Sequence, residues 1–214
     1  MTEHRFPGYD VLAKRNGMSW NDVTRRVIDD RLAVAREPKF FSLGEWRTLE
    51  ALCARIIPQP KDRPPVPLAA YIDQKMLTYG ERGTRIEPMP WDGAAWKIAL
   101  HALEAEAQDG YGRAFHELPA GNADALLHRM QNGELKNAAW GDVTPGLFFA
   151  KRVLTDIPAA YYAHPTAWNE IGFGGPASPR GYVRMEANRR DPWEATEAKP
   201  GQTKLARLAN RHVR

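Results

Sequence analysis

The chain has 214 residues, 43% hydrophobic and 26% charged, which suits a soluble globular protein with a real core. Its net charge of +4 and pI near 9.2 are a mild excess in which Arg and Lys alternate with Asp and Glu, so the composition carries no nucleic-acid footprint. The single cysteine, Cys53, excludes an intrachain disulfide, and no apolar run approaches the ~20 residues of a membrane span.

Residues 1–18 read as an extended arm, with turn signals at Pro7-Gly8 and Asn16-Gly17. Ser19 then reads as the N-cap of a helix, with Asp22 three residues on and Trp20, Val23, Val27 and Leu32 near helical spacing. Ser42-Leu43-Gly44-Glu45 is a capping box opening a helix with Trp46, Leu49, Leu52, Cys53 and Ile56 on one face. Pro58 and Pro60 end that helix. Pro67 suits the first turn of the next, LAAYIDQKMLTY, which Gly80 closes.

After a linker from Arg82 to Pro90, an Ala-rich helical pattern runs from Trp91 to about Ala107. Phe115 and Leu118 mark a shorter piece, and Leu126, Leu127 and Met130 a further helix ending near Gly133. Trp140-Gly141-Asp142 reads as a turn. Pro145 then opens a helix that Pro158 is expected to kink or interrupt. From Ala163 onward, AHPTAWNEIGFGGPASPRGY shows neither helical nor strand period. The expected fold is all-α, with about six or seven helices by periodicity. It divides as an arm (1–18), a helical domain (19–162) and an irregular Gly/Pro-rich tail (163–214), a single domain overall. The tail ends in a basic stretch with Lys199, Lys204, Arg207, Arg211 and Arg214.

Motifs for chemistry are weak. Gly172 to Ala177 spells G-x-G-x-x-A, but no strand pattern precedes it, and Pro176 and Pro179 stand where a dinucleotide-binding helix would run. His116-Glu117 begins like a zinc-protease helix without the second His, and His101 and Glu104 form only half of a di-iron pattern. Ser19 and Ser42 read as caps, Ser178 sits in no nucleophile elbow, and Cys53 lies on a core face. Asp29-Asp30 and Glu104/Glu106 read as solvated helix faces. No catalytic residue, cofactor site or metal site is assigned. The aromatic residues of the tail either pack back on the helices or anchor a partner.

The segments FFSLGEWRTLEALCARIIPQP, AAYIDQKM and HPTAWNEIGFGGPASPRGY, in that order and with a late FF-containing helix between the last two, resemble the gluconate 2-dehydrogenase subunit 3 family from about Phe40 to Tyr182. The resemblance implies a non-catalytic small subunit without a cofactor of its own. It would accompany a large FAD-dependent sugar or polyol dehydrogenase of the glucose-methanol-choline type. The small subunit would stabilise or mature the large one, and a multihaem cytochrome c is the further partner implied.

Two features depart from the family. The segment after His164-Pro165 lacks the Gly-Gly-Asn typical of members, and no twin-arginine export signal is expected, because Arg25-Arg26 is followed by Asp29-Asp30. The chain is therefore expected to be cytoplasmic by its own sequence, or periplasmic if exported with a signal-bearing partner. Partner contacts are expected from Pro165, Trp168, Gly172, Phe173, Gly174, Gly175, Pro176, Arg180, Gly181, Tyr182 and Trp193. The rival readings are an enzyme whose site is not recognisable from sequence and a basic-tailed module for nucleic acid or anionic surfaces.

Overall fold

The computed structural model describes residues 5–61, 63–182 and 190–213. Helices account for 57% of the chain, and no strand occurs among the described residues, as the all-α expectation required. Nine α-helices are described, α1 (Asp22–Leu32), α2 (Leu43–Ile56), α3 (Leu68–Tyr79), α4 (Asp92–Tyr111), α5 (Ala120–Gln131), α6 (Pro145–Phe148), α7 (Leu154–Tyr162), α8 (Pro165–Ile171) and α9 (Thr203–Asn210). Two compact units form, and their boundaries differ from those read in the sequence. Residues 1–33 and 162–214 make the terminal unit, and residues 34–161 make the central unit.

In the central unit the local signals decide the elements. Ser42 Oγ accepts from the Glu45 amide while Glu45 Oε2 accepts from the Ser42 amide at 2.7 Å, completing the capping box of α2. Such a cap contributes about 1 kcal/mol. Trp46, Leu49, Leu52 and Cys53 then fall on one buried face, and α2 packs on α3, α4 and α5. Helix α3 stops at Gly80, which closes on the start of α4 through the Gly93 amide bond to the Gly80 carbonyl at 2.9 Å. A Cβ at Gly93 would meet the Phe40 ring at 2.9 Å, so a larger residue there would have to displace that ring.

Of the two outcomes the sequence allowed, a kink or an interruption, Pro158 does not interrupt its helix. Helix α7 runs through it, and a π-helical segment, Phe149–Val153, joins α6 to α7. The Leu154 amide reaches back to the Phe149 carbonyl in a five-residue step. The ladder is thus widened just before Leu154, the residue whose carbonyl loses its usual donor to Pro158.

Carboxylates inside the central unit are all engaged. Asp156 is fully buried at its side chain and takes Lys75 Nζ at 2.7 Å and Trp96 Nε1 at 2.9 Å, tying α3 and α4 to α7. Arg152 pairs with Asp92 nearby. Asp73, 2% exposed, accepts the amides of Lys39, Phe40 and Phe41 at 2.9–3.0 Å. These bonds fix the segment that leads into α2.

The terminal unit departs more from the sequence reading. The arm is not extended, because Val11–Asn16 is a 3-10 helix capped by Asp10. Helix α1 is capped by Asn21 rather than Ser19. Its buried positions are Thr24 and Ile28, while Val23, Val27 and Leu32 are exposed. The tail holds α8 and α9, so it is not irregular throughout; residues 183–189 and Arg214 of the expected tail lie outside the described residues. Tyr9, Val11, Trp20, Ile28, Trp168, Ala195 and Val213 form the unit's small apolar core.

Removing the Asp73 carboxylate leaves three inward-facing amides without acceptors. Asp73→Ala is expected to lower stability by roughly 3 kcal/mol in urea denaturation, and Asp73→Asn by less, because one amide oxygen remains. Equal stability of Asp73→Ala and the parent would refute this role.

Candidate functional site

The most sharply built surface feature lies in the terminal unit, where α8 ends. Gly172 takes a left-handed conformation (φ 67°) as the C-cap, and a Cβ there would sit 2.5 Å from the Phe6 ring. The chain beyond it is held by the N-terminal arm. Tyr9 Oη donates to the Phe173 carbonyl at 3.2 Å, and Lys14 Nζ donates to the Gly174 carbonyl at 3.3 Å. Gly175 packs where a Cβ would meet Val11 and the Trp168 ring. Asn169 anchors the arm from the other side by accepting the Val11 amide at 2.7 Å.

Above this floor is a cleft of about 280 Å³ lined by Phe6, Gly172–Gly175, Arg180, Tyr182, Arg190 and Trp193–Ala195. Arg180 Nε donates to Ser19 Oγ at 3.2 Å, and its guanidinium lies 4.3 Å from the centre of the Trp193 ring. That stacking fixes the arginine in the wall. Phe173 and Tyr182 are 40% and 71% exposed, so two aromatic rings face solvent at the rim.

Seven of the residues singled out from the sequence thus meet in one place: Gly172, Phe173, Gly174, Gly175, Arg180, Tyr182 and Trp193. Pro176 and Gly181 adjoin the cleft in sequence without lining it. Pro165 and Trp168 are buried instead. The Trp168 indole donates to the Tyr162 carbonyl at 2.6 Å, meets Phe173 edge-on and lies under Arg31. It is a core residue, because α8 turns it inward. Sequence reading missed Phe6, Lys14, Arg190 and Glu194, which reach the cleft or its floor only through tertiary contact.

Lys14 is the unusual group. It is wholly buried, and loss of water, reinforced by repulsion from Arg180 and opposed by Glu194, pushes its pKa down to about 8. Tyr9 is shifted the other way, above the ordinary phenol range, chiefly by burial.

The remaining chemical candidates are accounted for by structure. Gly172–Ala177 follows a helix C-terminus, so the glycines do not form the strand-to-helix turn of a dinucleotide fingerprint. His101, Glu104 and His116 do line a common cleft of about 360 Å³ in the central unit. There Glu104 accepts the Thr48 hydroxyl and the Phe115 amide, both at 3.1 Å. Glu106 is buried and accepts the Asn137 amide and the Trp140 indole, which corrects its reading as a solvated face. Cys53 is buried, and burial raises its thiol pKa, which disfavours the reactive thiolate. Among the described residues no group of three or more His, Cys, Asp or Glu is placed to hold a metal, and no helix is long and apolar enough to cross a membrane.

Comparison with known proteins gives one family match: the family described as gluconate 2-dehydrogenase subunit 3 covers residues 44–175, more than half of the chain. No curated protein and no solved structure matches.

The sign of the Lys14 effect is definite. The folded pKa lies below the unfolded value of 10.5, so the unfolded chain binds more protons between the two. Burial of the charged form therefore destabilises the fold at pH 7, and the penalty is relieved as pH rises past about 8. Lys14→Met is expected to be more stable than the parent by roughly 2 kcal/mol at pH 7, with the gap shrinking from pH 8 to 10. Thermal denaturation of both proteins across that window checks it, and a gap independent of pH would refute it. Above pH ~10 the unfolded tyrosine begins to ionise, so Tyr9 lowers the stability of both proteins.

Proposed function

Because the chain belongs to the gluconate 2-dehydrogenase subunit 3 family, we propose that it is the non-catalytic small subunit of an FAD-dependent sugar or polyol dehydrogenase. In this reading the flavin, the catalytic base and the substrate pocket belong to a large subunit of the glucose-methanol-choline type. The chain stabilises that subunit or assists its maturation, and a multihaem cytochrome c accepts the electrons.

One observation carries the proposal. Ten of the fifteen exposed large hydrophobic residues among those described fall in the terminal unit, although it is the smaller of the two. They include Met18, Val23 and Val27 near the start and Ile171, Phe173, Tyr182, Leu205 and Leu208 toward the end. Apolar surface concentrated in this way is what a protein-binding face leaves exposed when the partner is absent. Glu104 and Glu106, which could suggest an enzyme, are instead bonded to a hydroxyl, backbone amides and an indole of the fold.

Co-expression with the large subunit, affinity purification and an absorbance scan test the reading. Recovery of a stable flavin-coloured complex is expected, with the large subunit insoluble or inactive when made alone. Phe173→Ser with Tyr182→Ser is expected to cut recovery of the large subunit roughly tenfold, as for hot-spot aromatics at an interface. A well-folded small chain that never retains the flavoprotein would sink the proposal.

A further inference from the structure

Among the described residues, the charge lining the terminal-unit cleft is unbalanced. Arg180 and Arg190 stand in its wall against Glu194, and the buried ammonium of Lys14 lies beneath the floor against Gly174. Among the described residues no carboxylate lies within ion-pair distance of Arg180 or Lys14. Glu194 is already occupied in part by the Asp191 amide at 2.7 Å. Within the isolated fold the Lys14 ammonium has the Gly174 carbonyl and the face of the Tyr9 ring, 5.5 Å away, to offset the cost of its burial. Arg180 is held by Ser19 and stacked on Trp193, an arrangement that presets a planar donor before any ligand arrives.

The surroundings narrow the ligand. At about 280 Å³ the space lies just below the usual range for small-molecule pockets and suits one or two side chains. Its rim is aromatic, formed by Phe173, Tyr182 and Trp193. A carboxylate side chain flanked by apolar neighbours satisfies both the cations and the rings.

We propose that this cleft receives an Asp or Glu side chain on an otherwise apolar segment of the large subunit, paired to Arg180 and Arg190 and covered by the aromatic rim. The assignment rests on the accessory-subunit reading. It adds to that reading the chemistry of the contact, since a charge pair of this kind fixes register and accelerates encounter.

The test uses the full chain and the purified large subunit, with affinity read by biolayer interferometry at low and high salt. Arg190→Glu, at an exposed position, is expected to weaken binding about tenfold at low salt and much less at 0.5 M. Arg180→Gln is expected to lose as much or more. Arg180→Lys recovers part of the loss and places an amine in the cleft, so a carbodiimide is expected to join it to an Asp or Glu of the large subunit, located by mass spectrometry. Unchanged affinity of Arg190→Glu and Arg180→Gln, with no such cross-link, would overturn the proposal while leaving the accessory role intact. Failure of the parent chain to bind the large subunit would overturn both. Arg190-dependent binding to phosphatidylglycerol vesicles in place of the large subunit would overturn the proposal in favour of an anionic surface.

Discussion

The terminal unit depends on the side-chain amide of Asn210. This group is 3% exposed and donates to the carbonyls of Pro7 and Thr196 while accepting the Thr196 amide at 2.7 Å. It joins the N-terminal arm, the loop before α9 and α9 itself in one buried knot. Asn169 repeats the device at the other end of the arm, accepting the Val11 amide. A unit with so small an apolar core needs such fully bonded polar ties to hold one arrangement, because each buried donor or acceptor is costly when left unpaired.

The central unit is built the other way. Its helices bury contiguous apolar faces, and its interior carboxylates act as staples. Asp73 gathers three amides, Asp156 joins a lysine to an indole, and Glu106 bonds a backbone amide and an indole. A carboxylate with its lone pairs so committed is held in place, which suits architecture better than proton transfer. The family match spans most of this unit and reaches into the glycine segment, while the exposed aromatic rings and the unbalanced cations gather in the other. Support for an accessory role thus comes from a contrast between a satisfied unit and one with unmet surface.

Lys14 illustrates what a buried charge costs and what holds it. A methionine of similar length would fill its place without the desolvation penalty. The lysine instead keeps a positive charge under a glycine floor that any larger residue would disturb, since a Cβ at Gly174 would lie 3.1 Å from Nζ. The glycines of the irregular tail are therefore constraints. They let the backbone lie close to the arm and expose carbonyls for Lys14 and Tyr9 to bind.

What the sequence determined by itself was local. The capping box at Ser42, the stop at Gly80, the turn region near Trp140 and the all-α class follow from short-range chemistry, and each stands in the fold. The cleft was half legible, because Phe173, Arg180, Tyr182 and Trp193 belong to a stretch whose composition already marks it as unusual. Their companions Phe6, Lys14 and Glu194 carried no such signal. Lys14 sits in a polar arm that resembles any surface segment until residues more than 150 positions away close over it. Trp168 shows the same limit in reverse. Its sequence context suggested an exposed anchor, and α8 turned it into the core. Periodicity and caps are readable within a few residues, but burial of a single side chain depends on which distant segment arrives to cover it, and tertiary structure alone decided that.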